Sequence, residues 1–313
     1  MQDEIDREIA RARSLQVAAS APFDITRLPP AQARALANRA AMVFNDGKPE
    51  LSRVEDFKVP GQGGPIRARL YQPAVARSDA AIFYIHGGGW FACDVDTHDR
   101  MLRFLAMKAG ISVLAFDYRL SPEHPYPAAL DDSLAVWHWL HREGEALSIG
   151  TGKIAVSGDS AGANVGLALA LALRDDCAAM PAGLALCYGC FAPGLETESR
   201  ARYGGGAFGL TGERMDWYWA NYLGEAAQYP PVLAVPLHAS LAGLPPVFLG
   251  ISECDVVADD SRLLAARLTD AGVPVELEVW PRATHGMLQM TRDVGIARDA
   301  VASIARALCN VMA

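Results

Sequence analysis

Ser160 lies in Gly158-Asp159-Ser160-Ala161-Gly162, the G-x-S-x-G pattern in which a serine rides a sharp turn between a strand and a helix. Lys153-Ile154-Ala155-Val156-Ser157 before it reads as a short buried strand, and Ala163 to Arg174 after it as an Ala/Leu-rich helix. Side chains at Gly158 or Gly162 would collide where the helix folds back, so glycine is expected at both. Such a turn pushes the serine hydroxyl out of the sheet and aims the first helical N–H groups at a reacting carbonyl. A hydroxyl is a weak nucleophile until a base takes its proton, and the base needs an orienting acid.

On this strand-turn-helix element the acid and the histidine are expected to follow the serine in that order. Of seven histidines, only His238 and His285 come after Ser160. His285, in Ala283-Thr284-His285-Gly286, follows a strand ending near Trp280 and is the candidate base. His238 precedes the acids and lacks such a setting. The loop after Val247–Ile251 offers Asp255, with Glu253 as a substitute; Asp259 and Asp260 read as acids at a helix N-terminus. His86-Gly87-Gly88-Gly89-Trp90, directly after the strand Ala80 to Ile85, is the candidate oxyanion loop. Gly87 and Gly88 are expected to donate two backbone N–H bonds and Ala161 a third, each worth ~10²–10³ in rate. A phosphate-cradling loop fits poorly, because the Lys-Ser/Thr ending and the dinucleotide fingerprint are absent. His86 reads as a loop-holding residue and not as a base. Trp90, Asp159 and Trp217 are the expected pocket residues; Trp217 and Trp219 are two apart, so one helix cannot aim both at the same place.

The elements around these residues alternate. Strands at Ala80–Ile85, Ser112–Phe116, Ile154–Ser157, Leu184–Tyr188, Val247–Ile251 and Val275–Trp280 are separated by helices near Thr97–Ala109, Pro127–Glu145, Ala161–Arg174 and Asp259–Ala271. That rhythm predicts an α/β fold with a mostly parallel sheet covered on both faces. Two further strands, Arg53–Val59 and Ile66–Tyr71, flank a glycine-rich turn. Residues 1–45 look helical, with Ile5 and Ile9 four apart and Pro29-Pro30 opening a second helix. Residues 191–231 hold no clear strand and read as an insertion; with the N-terminal helices they are expected to cover the sheet's C-terminal edge, where ligands bind. The catalytic domain is thus expected over 46–313, interrupted by that insertion.

Composition narrows the function classes. The 313 residues are 51% hydrophobic and 20% charged, an ordinary globular balance. A formal net charge of -8 argues against nucleic acid or an anionic membrane as partner. The acidic start Met1-Gln2-Asp3-Glu4 does not resemble a signal peptide, and no apolar run reaches membrane-spanning length. Six scattered cysteines in mostly apolar contexts fit reduced thiols in the cytoplasm. Cys187-Tyr188-Gly189-Cys190 has redox-motif spacing but falls at a strand end. Asp94, Asp96, His98 and Asp99 read as helix-start residues, and His138 and His141 as a solvated helical face, so no metal site is expected.

Taken in order, His86-Gly87-Gly88-Gly89-Trp90, Asp117-Tyr118-Arg119-Leu120-Ser121-Pro122-Glu123-His124-Pro125, Gly158–Gly162, Asp255 and His285-Gly286 resemble the hormone-sensitive-lipase-like esterases of the α/β-hydrolase superfamily. The resemblance runs from about Ala80 to the C-terminus. It implies an eight-stranded α/β-hydrolase sheet with a helical cap, hydrolysis of short- to medium-chain carboxylic esters without a cofactor, and a homodimer through an edge strand. Ala163, Gly189 and Cys93 depart from the residues frequent in that family. The same triad would serve a lactonase, an amidase or a deacetylase of a specialised metabolite. A non-catalytic ligand-binding receptor on this fold would be expected to lack one of Ser160, Asp255 and His285, and all are present.

Overall fold

A computed structural model describes residues 5–20, 24–77 and 79–313. Its centre is an eight-stranded sheet. The strands are β1 (Arg53–Gly61), β2 (Gly64–Gln72), β3 (Ala80–Ile85), β4 (Ser112–Phe116), β5 (Lys153–Asp159), β6 (Leu184–Cys187), β7 (Val247–Cys254) and β8 (Val275–Thr284). They lie in the order β1-β2-β4-β3-β5-β6-β7-β8, with β1/β2 and β2/β4 antiparallel and every other neighbour parallel. Parallel neighbours need crossover helices, and these fill both faces.

The period-2 alternation of β3 divides the core. Ala81, Phe83 and Ile85 join one apolar cluster with Ile154, Val156, Trp137 and Leu167. Ala80, Ile82 and Tyr84 join another with Leu102, Ala155 and Val301. Helices α4 (Ala128–Glu143), α5 (Ala161–Asp175) and α8 (Ala258–Asp270) pack on the first face; α3 (Asp99–Ala109) and α9 (Gly295–Val311) pack on the second. Helix α9 is absent from the sequence reading. Its buried Ala297, Ala300, Val301, Ile304, Ala305 and Leu308 follow a helical period, so the signal was there to read.

Two further stretches lie at the strands' C-terminal ends. The N-terminal stretch holds α1 (Arg7–Ser20) and α2 (Pro30–Met42), and the long connection after β6 holds α6 (Glu198–Tyr203) and α7 (Gly212–Leu223). Helix α2 starts with proline at its first position, whose missing N–H is an unpaired donor there in any case. Thr211 caps α7 by accepting the Arg214 N–H. The α2 and α7 segments meet around Phe91, which packs on Trp217 and joins Ile25 and Ala33 in a small separate cluster. The acidic start Met1–Glu4 lies outside the described residues.

Candidate active site

The turn between β5 and α5 is tight for a steric reason. A Cβ on Gly158 would sit 2.6 Å from the Gly162 carbonyl group, and one on Gly162 would overlap the carbonyl oxygen of Ile85. The expected collision is thus real, and for Gly162 its partner is the neighbouring strand β3. Ser160 at the apex takes φ 54° and ψ -121°, a conformation that costs a non-glycine residue about 1–3 kcal/mol. The helix that starts immediately afterwards overdetermines it.

Ser160 Oγ lies 2.8 Å from His285 Nε2, and His285 Nδ1 lies 2.7 Å from Asp255 Oδ2. The other Asp255 oxygen accepts the Val257 N–H at 3.2 Å. Asp255 is fully buried, so its oxygens are served by the imidazole and the Val257 N–H and not by water. Burial alone would lower the His285 pKa; the charge and hydrogen bond of Asp255, with Asp159 and Asp260 behind, outweigh it and raise the pKa above 6.5. A histidine so placed accepts a proton readily and is held in the tautomer that leaves Nε2 toward the serine.

The alternatives for acid and base have other work. Glu253 accepts the Arg282 N–H at 2.7 Å, holding the irregular end of β8. Asp259 and Asp260, expected as helix-start charges, also tie distant segments: Asp259 accepts the Ser199 N–H and Asp260 the Phe191 N–H. His238 is exposed at the end of a short 3₁₀ turn. His86 is buried with its ring stacked on Tyr118 at 4.2 Å, and burial with nearby His98 lowers its pKa to about 4. Tyr118 Oη donates to the His86 carbonyl, so His86 and its neighbour brace the loop.

The oxyanion expectation needs one correction. The Gly87 N–H is committed to the Asp159 carboxylate at 2.9 Å and is not available to a substrate. Gly88 and Gly89 line the cavity beside Ser160, and their N–H groups donate to no protein atom among the described residues. Ala161, at the first position of α5, has an N–H without an intrahelical acceptor. The N–H groups left free beside Ser160 are therefore those of Gly88, Gly89 and Ala161, and that of Gly87 is not among them.

Asp159 is the hub behind that loop. Besides Gly87, its carboxylate accepts Tyr84 Oη at 2.9 Å and Tyr188 Oη at 3.3 Å, and His98 Nε2 stands 3.3 Å away. Burial opposes its charge, but His98, Tyr84 and the Gly87 N–H hold its pKa below the usual carboxylate value. His98, read from sequence as an ordinary helix-start residue, is completely buried, and the Gln289 amide lies 3.0 Å from the same ring nitrogen. Asp94 and Asp96 are engaged by Thr97 and Arg67, and the described residues hold no cluster of three metal-ligating side chains.

Ser160 and His285 open into a cavity of about 440 Å³, a size suited to a small organic molecule. Asp159 reaches its wall, but the two expected tryptophans do not. Trp90 is fully buried, stacked on Tyr222 at 4.1 Å and packed on Trp219 at 4.6 Å, so it anchors the glycine loop from behind. Trp217 points at Phe91, edge to face at 4.7 Å. The residue between the tryptophans, Tyr218, lines the cavity with Met215, and Cys93 lines it from the glycine loop.

Comparison with known proteins agrees with this geometry. A family profile described as the alpha/beta hydrolase fold matches residues 82–289. A curated acetyl esterase of Salmonella paratyphi B is 38% identical over 253 residues, covering 79% of this chain and 77% of that protein. A solved hyperthermophilic esterase of the archaeon Pyrobaculum calidifontis superposes with a TM-score of 0.91 at 32% identity, covering 98% of this chain and 99% of its own. An alpha/beta hydrolase enzyme from the metagenome of Lake Arreo, solved as a Ser161Ala mutant, gives 0.90 at 29% identity over 99% of both chains. The chain belongs to the hormone-sensitive-lipase-like esterases of the alpha/beta hydrolase fold.

Proposed function

We propose that the chain hydrolyses carboxylic esters through an acyl-enzyme on Ser160, with small acyl groups such as acetyl among those accepted. The observation that carries this reading is the hydrogen-bonded chain Ser160–His285–Asp255, set in a cavity beside three uncommitted backbone N–H groups. His285 Nε2 takes the Ser160 proton as Oγ bonds to the ester carbonyl carbon. Charge moves onto the carbonyl oxygen, toward Gly88, Gly89 and Ala161, and the helix N-terminus favours it there. The imidazolium, held by Asp255, returns its proton to the departing alkoxide oxygen. Water then attacks the acyl carbon by the same path, giving the acid and the free serine. Asp159 takes no proton; it holds the glycine loop at Gly87.

In this account residues 1–45 and 191–231 act as a cap that supplies the cavity's outer wall. The described residues contain no helix long and apolar enough to cross a membrane. The cytoplasm is the proposed compartment, in keeping with six cysteines that are all unbridged. A homodimer through the β8 edge, where Leu277 and Val279 are exposed, is part of the same reading.

Ser160→Ala, assayed with p-nitrophenyl acetate, tests the chemistry. Loss of at least about 10³-fold in kcat with an unchanged melting temperature is the expected result. Undiminished hydrolysis overturns the reading.

A further inference from the structure

Two arginines from different helices line the same cavity. Arg13 comes from α1 and Arg214 from α7, and both line the space that holds Ser160 and His285. Neither forms an ion pair among the described residues. Other arginines nearby are served: Arg200 bonds Asp216 at 2.6 Å, and Arg34 bonds Glu123 at 2.6 Å.

The hydrogen bonds of these two guanidinium groups are few. Arg13 Nη1 donates to the Ala207 carbonyl at 3.1 Å, and its remaining edge faces Gly209, where a Cβ would stand 3.2 Å from Nη2. Arg214 Nε is buried and has no hydrogen-bond partner. Burial lowers the Arg13 pKa, as expected of a cation without a counter-charge. The cavity's carboxylate, Asp159, is consumed by Gly87, Tyr84, Tyr188 and His98. Asp24, the acid that feels Arg214 at a distance, is exposed and engaged by Thr26 and Arg27. Both side chains are half-buried, where a cation without a partner has lost part of its hydration for no return, and a protein of net charge -8 has acids enough to pair them.

We infer that Arg13 and Arg214 receive a carboxylate on the substrate, so that the enzyme favours esters bearing an anionic group away from the scissile bond. The inference rests on the ester-hydrolase reading and names the substrate class of that same cavity. Guanidinium groups suit the task, since each can present two parallel donors to one carboxylate. Because one arginine lies in each of the two helical segments above the sheet, a bound anion would also draw those segments together.

The test uses the full-length enzyme and two pairs of esters matched in length, followed by pH-stat. Monomethyl adipate against methyl hexanoate places the charge on the acyl side; 4-acetoxybutanoate against butyl acetate places it on the alcohol side. In at least one pair the charged ester is expected to match or exceed the neutral one in kcat/KM. Arg214→Gln is expected to lower the charged-to-neutral ratio about tenfold, mainly through KM, and Arg214→Lys to restore most of it. Arg13→Gln should act in the same direction, and rising salt should erode the ratio in wild type. Melting temperatures of the variants separate a lost contact from a lost fold, which matters for Arg13 because it also holds Ala207. A neutral preference in both pairs, or a ratio unmoved by Arg214→Gln, overturns the inference while leaving ester hydrolysis intact. Failure of wild type on all four esters overturns the ester reading beneath it.

Discussion

The Asp159 carboxylate accepts the Gly87 N–H at 2.9 Å, joining the residue before the serine to the first glycine of the facing loop. The serine turn and the glycine loop are thereby one rigid unit. The same bond removes Gly87 from the pool of oxyanion donors and leaves Gly88 and Gly89 at the cavity wall.

Asp159→Ala should therefore act on catalysis through the glycine loop. With its acceptor gone, the loop loses its register, and kcat for p-nitrophenyl acetate should fall on the order of 10²-fold with little change in KM. Asp159→Asn, which keeps one acceptor oxygen, should recover part of that loss. An alanine variant within about twofold of wild type would remove Asp159 from the positioning role.

The pH profile follows from His285. Its pKa is raised above 6.5 because Asp255 overcomes the effect of burial. The base works only when unprotonated, and a raised pKa means protonation sets in at higher pH. The acid limb of kcat/KM should accordingly have its midpoint above 6.5. Asp255→Asn should move that midpoint down and cut kcat by roughly 10³–10⁴-fold, since the tautomer and the charge partner are both lost. A midpoint that stays put in Asp255→Asn would contradict the pairing.

Asp260 supplies a stability test with its own sign. Burial, with the charge of Asp255, raises its pKa from 3.8 to about 7, although the Phe191 N–H opposes the shift. The unfolded chain releases this proton more readily than the folded one, so stability falls as pH rises from about 4 through 7. Asp260→Asn, which can still accept from Phe191, should melt above wild type at pH 8. The gap should narrow at pH 5. The opposite trend would mean that Asp260 is stabilised as a carboxylate.

Two glycines differ sharply in what they can tolerate. Gly162→Ala would drive a methyl into the Ile85 carbonyl, a backbone atom with nowhere to go. A loss of about 3 kcal/mol or more in urea unfolding is expected. Gly272→Ala meets open space but at φ +73°, so its cost is the left-handed backbone alone, about 1–2 kcal/mol. Equal costs at both sites would mean that the turn yields more than its packing implies.

Much of this arrangement was legible in the residues themselves. Strand–turn–helix periodicity bounded the serine turn, chain order narrowed the acid to the loop after Val247–Ile251 and the base to His285, and hydrogen bonding joins Asp255 and His285 to Ser160. What escaped depended on where side chains and N–H groups find partners. No spacing rule reveals that Gly87 N–H is spent on Asp159. Trp90 and Trp217 looked like pocket walls because they flank the right elements, but large apolar rings pack where they lose most water, here on Tyr222 and Phe91. Tyr218 between the tryptophans turns to the cavity because a helix sends adjacent residues to different faces. His98 gave no local sign, since its partner Asp159 is remote in sequence and meets it only across the folded sheet edge.

The central claim is that Ser160 carries the acyl group. An organophosphate diester such as paraoxon phosphorylates an activated serine and expels p-nitrophenolate, leaving a stable diethylphosphoryl group. Intact-mass analysis after treatment should show one such adduct, mapped to the peptide containing Ser160, in step with loss of esterase activity. Full inactivation with the adduct on another residue, or activity persisting when Ser160 is fully labelled, would contradict the account.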